Sequence, residues 1–148
     1  MDLKTQINDS VKDAMRAGDE VRKRTLRMVM AAIKQSEVDK RITLDDQGVL
    51  AILQKEIKNR REALEEAHKA NRADLASENE AEIAVLETFL PKAMPADELR
   101  LLVDQAVAEA GAASMSDMGK VMKLVIPRVA GRAPNDMISA AVRQALQK

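Results

Sequence analysis

The stretch Ser114-Met115-Ser116-Asp117-Met118-Gly119-Lys120-Val121-Met122-Lys123, running on to Pro127-Arg128 and Gly131-Arg132, has the residue types and spacing that come nearest to chemistry. Ser114 and Asp117 have the spacing of a capping box, in which two side chains satisfy the free N–H groups of a helix start. Gly119 then interrupts an apolar helical stripe, where glycine costs about 1 kcal/mol relative to alanine. Lys120, Lys123, Arg128, Arg132, Arg143 and Lys148 outnumber Asp117 and Asp136 in this last third. A helix left bare by a glycine and lined with cations suits the close approach of a phosphate backbone. Lysine would act as a point charge and arginine as a two-pronged donor. The free N–H groups following Ser114 and around Pro134 favour the same anion. Two plainer readings stand beside this one: Gly119 permits close packing of a neighbouring element, and the cations form an ordinary solvated face.

The rest of the composition mostly excludes. There is no Cys, hence no disulfide framework, thiolate zinc site or cysteine nucleophile. His68 is the only histidine, so two-histidine metal sites are ruled out, and no Gly-x-Ser-x-Gly elbow accompanies it. No phosphate loop is present, and the carboxylates have no His or Cys companions. We therefore expect no catalytic residue, no cofactor and no metal ligand. The N-terminus is too polar for a signal peptide, and no apolar run approaches the roughly 20 residues that a membrane span needs. The expectation is a cytoplasmic protein without a membrane partner.

Net charge is zero, but the chain reads basic, acidic, basic. Arg24, Arg27 and Lys34, with Lys55, Lys58 and Arg60, form a second cationic stripe, which either pairs with Glu78, Glu82 and Glu87 or joins an RNA contact. Phe89 is the only aromatic residue, so bases have nothing to stack on, and RNA would be read by shape and backbone.

These residues must be positioned by helices, because no segment alternates with period two for long enough to be a strand. Leu3, Ile7, Val11, Ala14 and Met15 predict a first helix, ended by Gly18 and followed by an Asp19 cap. The second buries Val21, Thr25, Met28, Val29, Ala32 and Ile33. Thr43-x-x-Asp46 is read as the cap of a third, with Val49, Ile52, Leu53, Ile57 and Leu64 on its stripe and Arg61–Glu65 as an i,i+4 pair. Asn71-x-x-Asp74 starts a fourth, carrying Leu75, Ile83, Leu86, Phe89 and Leu90. Pro91 and Pro95 then disfavour a continuous helix and mark a domain boundary. Beyond them come a helix ended by Gly111, one capped at Ser114 with a kink expected at Pro127, and a last one opened by Pro134 and burying Met137, Ile138, Val142 and Leu146. The expected fold is all-α: an N-terminal bundle of about four helices over 1–92, then a three-helix tail domain over 96–148.

Arg24-Thr25-Leu26-Arg27, Lys55-Glu56-Ile57-Lys58-Asn59-Arg60-Arg61-Glu62, Arg72-Ala73-Asp74-Leu75-Ala76, Phe89-Leu90-Pro91 and above all Asp117-Met118-Gly119-Lys120-Val121-Met122 resemble the GatB/YqeY family, over the whole chain. The chain resembles its stand-alone YqeY-like members, which are related to the tail domain of the B subunit of aspartyl/glutamyl-tRNA amidotransferase. Lys123 stands where a small residue is common in the family, and Ala133-Pro134-Asn135-Asp136 replaces a stretch that usually reads Ala-Asp-Gly. The resemblance implies a helical N-terminal domain and a three-helix tail that helps to hold tRNA. It also implies a family-level label of carbon–nitrogen ligase activity with glutamine as amido-N-donor, although the amide chemistry belongs to another domain of the amidotransferase. The functional expectation is a tRNA-binding accessory protein linked to amidotransfer or aminoacylation, with an aminoacyl-tRNA synthetase or amidotransferase subunit as protein partner. Its RNA-binding residues would be Lys120, Lys123, Arg128, Arg132, Arg143, Arg24 and Arg27, with Ser114, Asp117 and Gly119 as the structural motif. The alternative is a helical protein–protein interaction module.

Overall fold

A computed structural model describes residues 2–147 and is all-helical over them. Lys148, counted above among the basic residues, lies outside the described residues. The chain divides into two compact units, Met1–Leu90 and Pro91–Lys148.

The first unit is built from α1 (Leu3–Ala17), α2 (Glu20–Lys40), α3 (Asp46–Lys69) and α4 (Ala73–Glu87). Each of the first three starts on an aspartate whose carboxylate accepts from a backbone N–H in the first turn. Asp2 serves Thr5, Asp19 serves Arg22, and Asp45 serves Gly48. The cap expected at Thr43 therefore lies two residues further on, at Asp45. Asp46 instead accepts from the Leu3 backbone N–H at 2.9 Å, which ties the start of α3 to the start of α1. Gly18 closes α1 in the left-handed conformation, at φ 70°, which glycine adopts without the Cβ penalty. Asn71 takes the same conformation at φ 56°, and α4 begins after Arg72 rather than on an Asn71 cap.

Leu3 and Ile7 of α1, Leu26, Val29 and Ile33 of α2, Val49, Leu53 and Ile57 of α3, and Ile83 and Leu86 of α4 make one core, with Phe89 packed at its edge. Leu26 is fully buried, whereas Met28, expected inside, is exposed. The burial arc of α2 thus sits one position round from the predicted one. Beside this arc lies a network of three glutamates and two arginines. Arg60 is only 6% exposed and Glu82 only 9%. Arg60 Nε donates to Glu82 at 3.0 Å and its Nη1 to Glu56 at 2.7 Å, while Arg24 Nη2 reaches Glu82 at 3.3 Å and Glu78 at 3.1 Å. This network joins α2, α3 and α4 beside the apolar core. Arg61 binds Glu87 of α4 at 2.8 Å instead of making the i,i+4 pair with Glu65.

The second unit holds α5 (Ala96–Ala110), a single 3-10 turn (Met115–Asp117), α6 (Met118–Val129) and α7 (Asn135–Leu146). Leu99, Val103 and Ala106 of α5, Val121, Val125 and Val129 of α6, and Ile138, Val142 and Leu146 of α7 form its core, with Met94 from the segment before α5. Met137, expected inside, is exposed. No aromatic ring enters this core: α6 contributes valines, which meet Leu, Ile, Val and Ala of α5 and α7.

Two stability measurements follow from the first unit. Removing one partner of a buried ion pair leaves the other uncompensated. We expect Glu82→Leu to lower unfolding stability by about 3 kcal/mol, and the double variant Arg60→Met/Glu82→Leu to recover most of that loss in urea titrations. Thr25 is fully buried and its Oγ1 has no hydrogen-bond partner. Thr25→Val should therefore raise stability by about 1 kcal/mol, since it removes an unsatisfied hydroxyl at nearly constant volume.

Candidate nucleic-acid interface

The approach to α6 is built by Ser114 and Asp117, which form the expected capping box. The Asp117 carboxylate accepts from the Ala113 N–H at 3.0 Å and the Ser114 N–H at 3.4 Å. These two backbone donors, helped by the Lys120 charge, hold the Asp117 carboxyl below its ordinary value. The box closes over a 3-10 turn, and α6 proper begins at Met118.

Val121, Val125 and Val129 turn inward from α6. By helical geometry, Gly119, Lys120 and Lys123 fall on the opposite side, and all three are exposed. A Cβ built on Gly119 meets nothing within 4 Å. Close packing therefore does not account for this glycine, and the bare strip of helix faces outward. The Lys123 side chain has no hydrogen bond or ion pair among the described residues, and the Lys120 charge acts on the Asp117 carboxylate. Pro127 lies on the same outward side, and α6 continues through it to Val129. Arg143 is exposed on α7 and its side chain is likewise without an ion-pair partner among the described residues.

The other arginines named from the sequence are engaged. Arg132 grips both oxygens of Glu98, at 2.6 and 3.1 Å, and its Nε donates to the Lys92 carbonyl at 3.0 Å. Its own carbonyl accepts from the Met94 N–H at 2.9 Å. Arg132 thus fastens the 91–95 segment to the helices of the tail, and its guanidinium holds the Glu98 carboxyl below its ordinary value. Arg128 is paired with Glu109 of α5. Arg24 is held by Glu78 and Glu82, as the acid-pairing reading of the second stripe expects. Arg27, by contrast, touches only the Met15 sulfur, at 3.5 Å. The buried role of Arg60 was missed in the sequence, although it was visible there. Arg60 continues the Leu53, Ile57, Leu64, Ala67 spacing, and Glu82 stands four residues before Leu86.

No group of three or more His, Cys, Asp or Glu residues that could hold a metal occurs among the described residues. A groove of about 370 Å³ runs between α5 and α7, with Leu99, Met137, Ala141 and Ala145 along it and Arg100, Asp104 and Gln144 at its rim. It contains no paired nucleophile and base. No helix among the described residues is long and apolar enough to cross a membrane.

Comparison with known proteins places these features in context. The sequence model of a family described as "Yqey-like protein" matches residues 4–146. The chain is 32% identical over 90 residues to an uncharacterized protein of Schizosaccharomyces pombe, covering 61% of this chain and 73% of that one. It is 34% identical over 85 residues to the mitochondrial "Altered inheritance of mitochondria protein 41" of Vanderwaltozyma polyspora, covering 57% of this chain and 46% of that protein. It is 31% identical over 102 residues to the protein of the same name from Lachancea thermotolerans, covering 68% and 54%. The chain thus spans about half the length of these two mitochondrial relatives.

Two outcomes are expected at this site. Gly119→Ala should stabilise the second unit by about 1 kcal/mol, because it removes the helix penalty of glycine without meeting a neighbour. A loss of stability in calorimetry would show that the position is structurally required. The second outcome concerns pH. Glu98 is depressed below its ordinary 4.5, so its contribution is present above that value and is lost as pH falls through the lower folded-state value. Thermal melts of Arg132→Gln should accordingly show a shallower acid-side decline than wild type.

Proposed function

The chain belongs to the YqeY-like family, and from that premise we propose that it is a tRNA-binding accessory protein acting alongside tRNA-dependent amidotransfer or aminoacylation. The observation that carries the reading is the outward face of α6, where Gly119 has nothing packed on it and Lys120 and Lys123 are exposed beside it. In the first turn of α6 that glycine gives up part of the roughly 1 kcal/mol that it costs in a helix interior. Bare backbone beside two cations gives a sugar–phosphate strand the closest approach a helix allows.

On this reading the contacts are to phosphates. Lys120 and Lys123 supply point charges along the first turns of α6, and Arg143 adds a fork from α7. Arg128 and Arg132 hold the tail together, and Arg24 holds the first unit; their service to RNA is indirect, through the shape they maintain. A single aromatic residue at the edge of a core leaves base stacking without a platform. Recognition then rests on the backbone geometry of a folded RNA. Zero net charge makes this a local attraction rather than a general one. The protein–protein reading draws its support from the exposed Val38, Ile42, Leu101 and Met137 side chains.

Salt dependence tests the RNA reading. Replacing Lys120, Lys123 and Arg143 together with Gln should weaken tRNA binding and flatten the slope of log affinity against log salt by about two to three units. The fold should be retained, because none of the three side chains is buried or ion-paired among the described residues. Equal affinity and equal slope for wild type and the triple variant would remove the phosphate face and leave the protein-binding reading.

A further inference from the structure

The outward face of α2 carries a pattern that the RNA reading does not use. Opposite the buried Thr25, Val29 and Ile33, it presents Arg27 and Lys34, seven residues apart and both exposed, and the exposed Arg41 follows seven residues on as the cap beyond the last turn. Seven residues are close to two turns, so Arg27 and Lys34 lie on one line about 10 Å apart. Ala31 and Val38 stand four residues after the first two cations, and Ile42 follows the third. Val38 is 63% exposed. No member of this line is paired with a carboxylate among the described residues: Arg27 meets only the Met15 sulfur, and the Lys34 and Arg41 side chains meet nothing. Arg41 also sits in the left-handed conformation, at φ 55°, which is costly for a residue with a Cβ.

The outward face of α5 repeats the pattern with the charge reversed. Asp97 and Asp104 are seven residues apart on the side away from the buried Leu99, Val103 and Ala106. Leu101 stands four after the first acid and Ala108 four after the second, and all four are exposed. Leu101 is 64% exposed. Neither aspartate has an ion-pair or hydrogen-bond partner among the described residues.

We propose that the cationic face of α2 docks the acidic face of α5 from a second copy of this chain. The two lines share their period, oppose their charges and place an apolar residue at the same offset, which is the arrangement that sets register between two packed helices. Lys34 then lies opposite an aspartate, with Val38 and Leu101 covering each other from water. A polyanion would satisfy the cations but leave Val38 and Ile42 exposed. A second copy satisfies both faces.

Sedimentation equilibrium over a concentration series tests this on the full chain. Wild type should pass from monomer to dimer with rising concentration, and less readily at high salt. Lys34→Glu and Asp97→Lys should each weaken dimerisation about tenfold or more, and the double variant carrying both changes should recover it, since the charges again oppose. Leu101→Gln should weaken it without changing its salt dependence. A wild-type chain that remains monomeric at about 1 mM overturns the proposal, as does a double variant no better than either single one. If the wild type stays monomeric while Lys34→Glu loses tRNA affinity, the α2 face belongs to RNA instead.

Discussion

The burial of Arg60 against Glu82 is the interaction on which the first unit turns. An arginine that is 6% exposed carries a charge that burial makes costly unless carboxylates compensate it. It obtains Glu82 from α4 and Glu56 from its own helix, and Glu82 in turn draws in Arg24 from α2. Three helices are thereby fixed at one point, beside a core that contains no large ring to lock their rotation. Methionine and small aliphatic side chains tolerate several packings; a hydrogen-bonded ion network tolerates few. The network also decides how α2 is turned. With Arg24 held to α4 and the Arg60 guanidinium reaching the Met28 sulfur at 3.8 Å, Met28 lies outside the core and Leu26 inside it.

The tail applies the same economy with weaker, exposed pairs. Arg132 ties the segment between the prolines to α5, and Arg128 ties α6 to α5. Subtracting these structural cations leaves a short list. On the tail it includes Lys120, Lys123 and Arg143, with Arg100 on α5; on the first unit it includes Arg27 and Lys34 on α2 and Arg41 at its cap. Function is sought among the cations that folding has not used. Those on α6 stand beside a bare glycine, and those on α2 alternate with exposed aliphatic residues, so the two faces suit different partners.

Periodicity made the helices legible, and with them the all-α class. Val121, Val125 and Val129 could be read directly because each lies on a stripe with nothing competing for it. Gly18 and Gly111 marked helix ends for the reason that both adopt φ above 60°. Caps were harder: Thr43, Asp45 and Asp46 all offer an oxygen, and only the approach of α1 decides that Asp46 serves Leu3 while Asp45 serves its own helix. The free or engaged state of each cation was not legible either, because Arg132–Glu98 and Arg61–Glu87 join residues distant in sequence. Gly119 was the opposite case. Its two readings, packing or exposure, needed only one fact, and the open space around its Cα supplies it.

The central claim is that the outward face of α6 meets RNA backbone. Amide chemical shifts of the isotopically labelled full chain, followed during titration with tRNA, address it most directly. The account predicts shifts concentrated at Gly119, Lys120 and Lys123, extending to Arg143, and suppressed by added salt. Shifts confined to the groove between α5 and α7, or to no part of the tail, would contradict it.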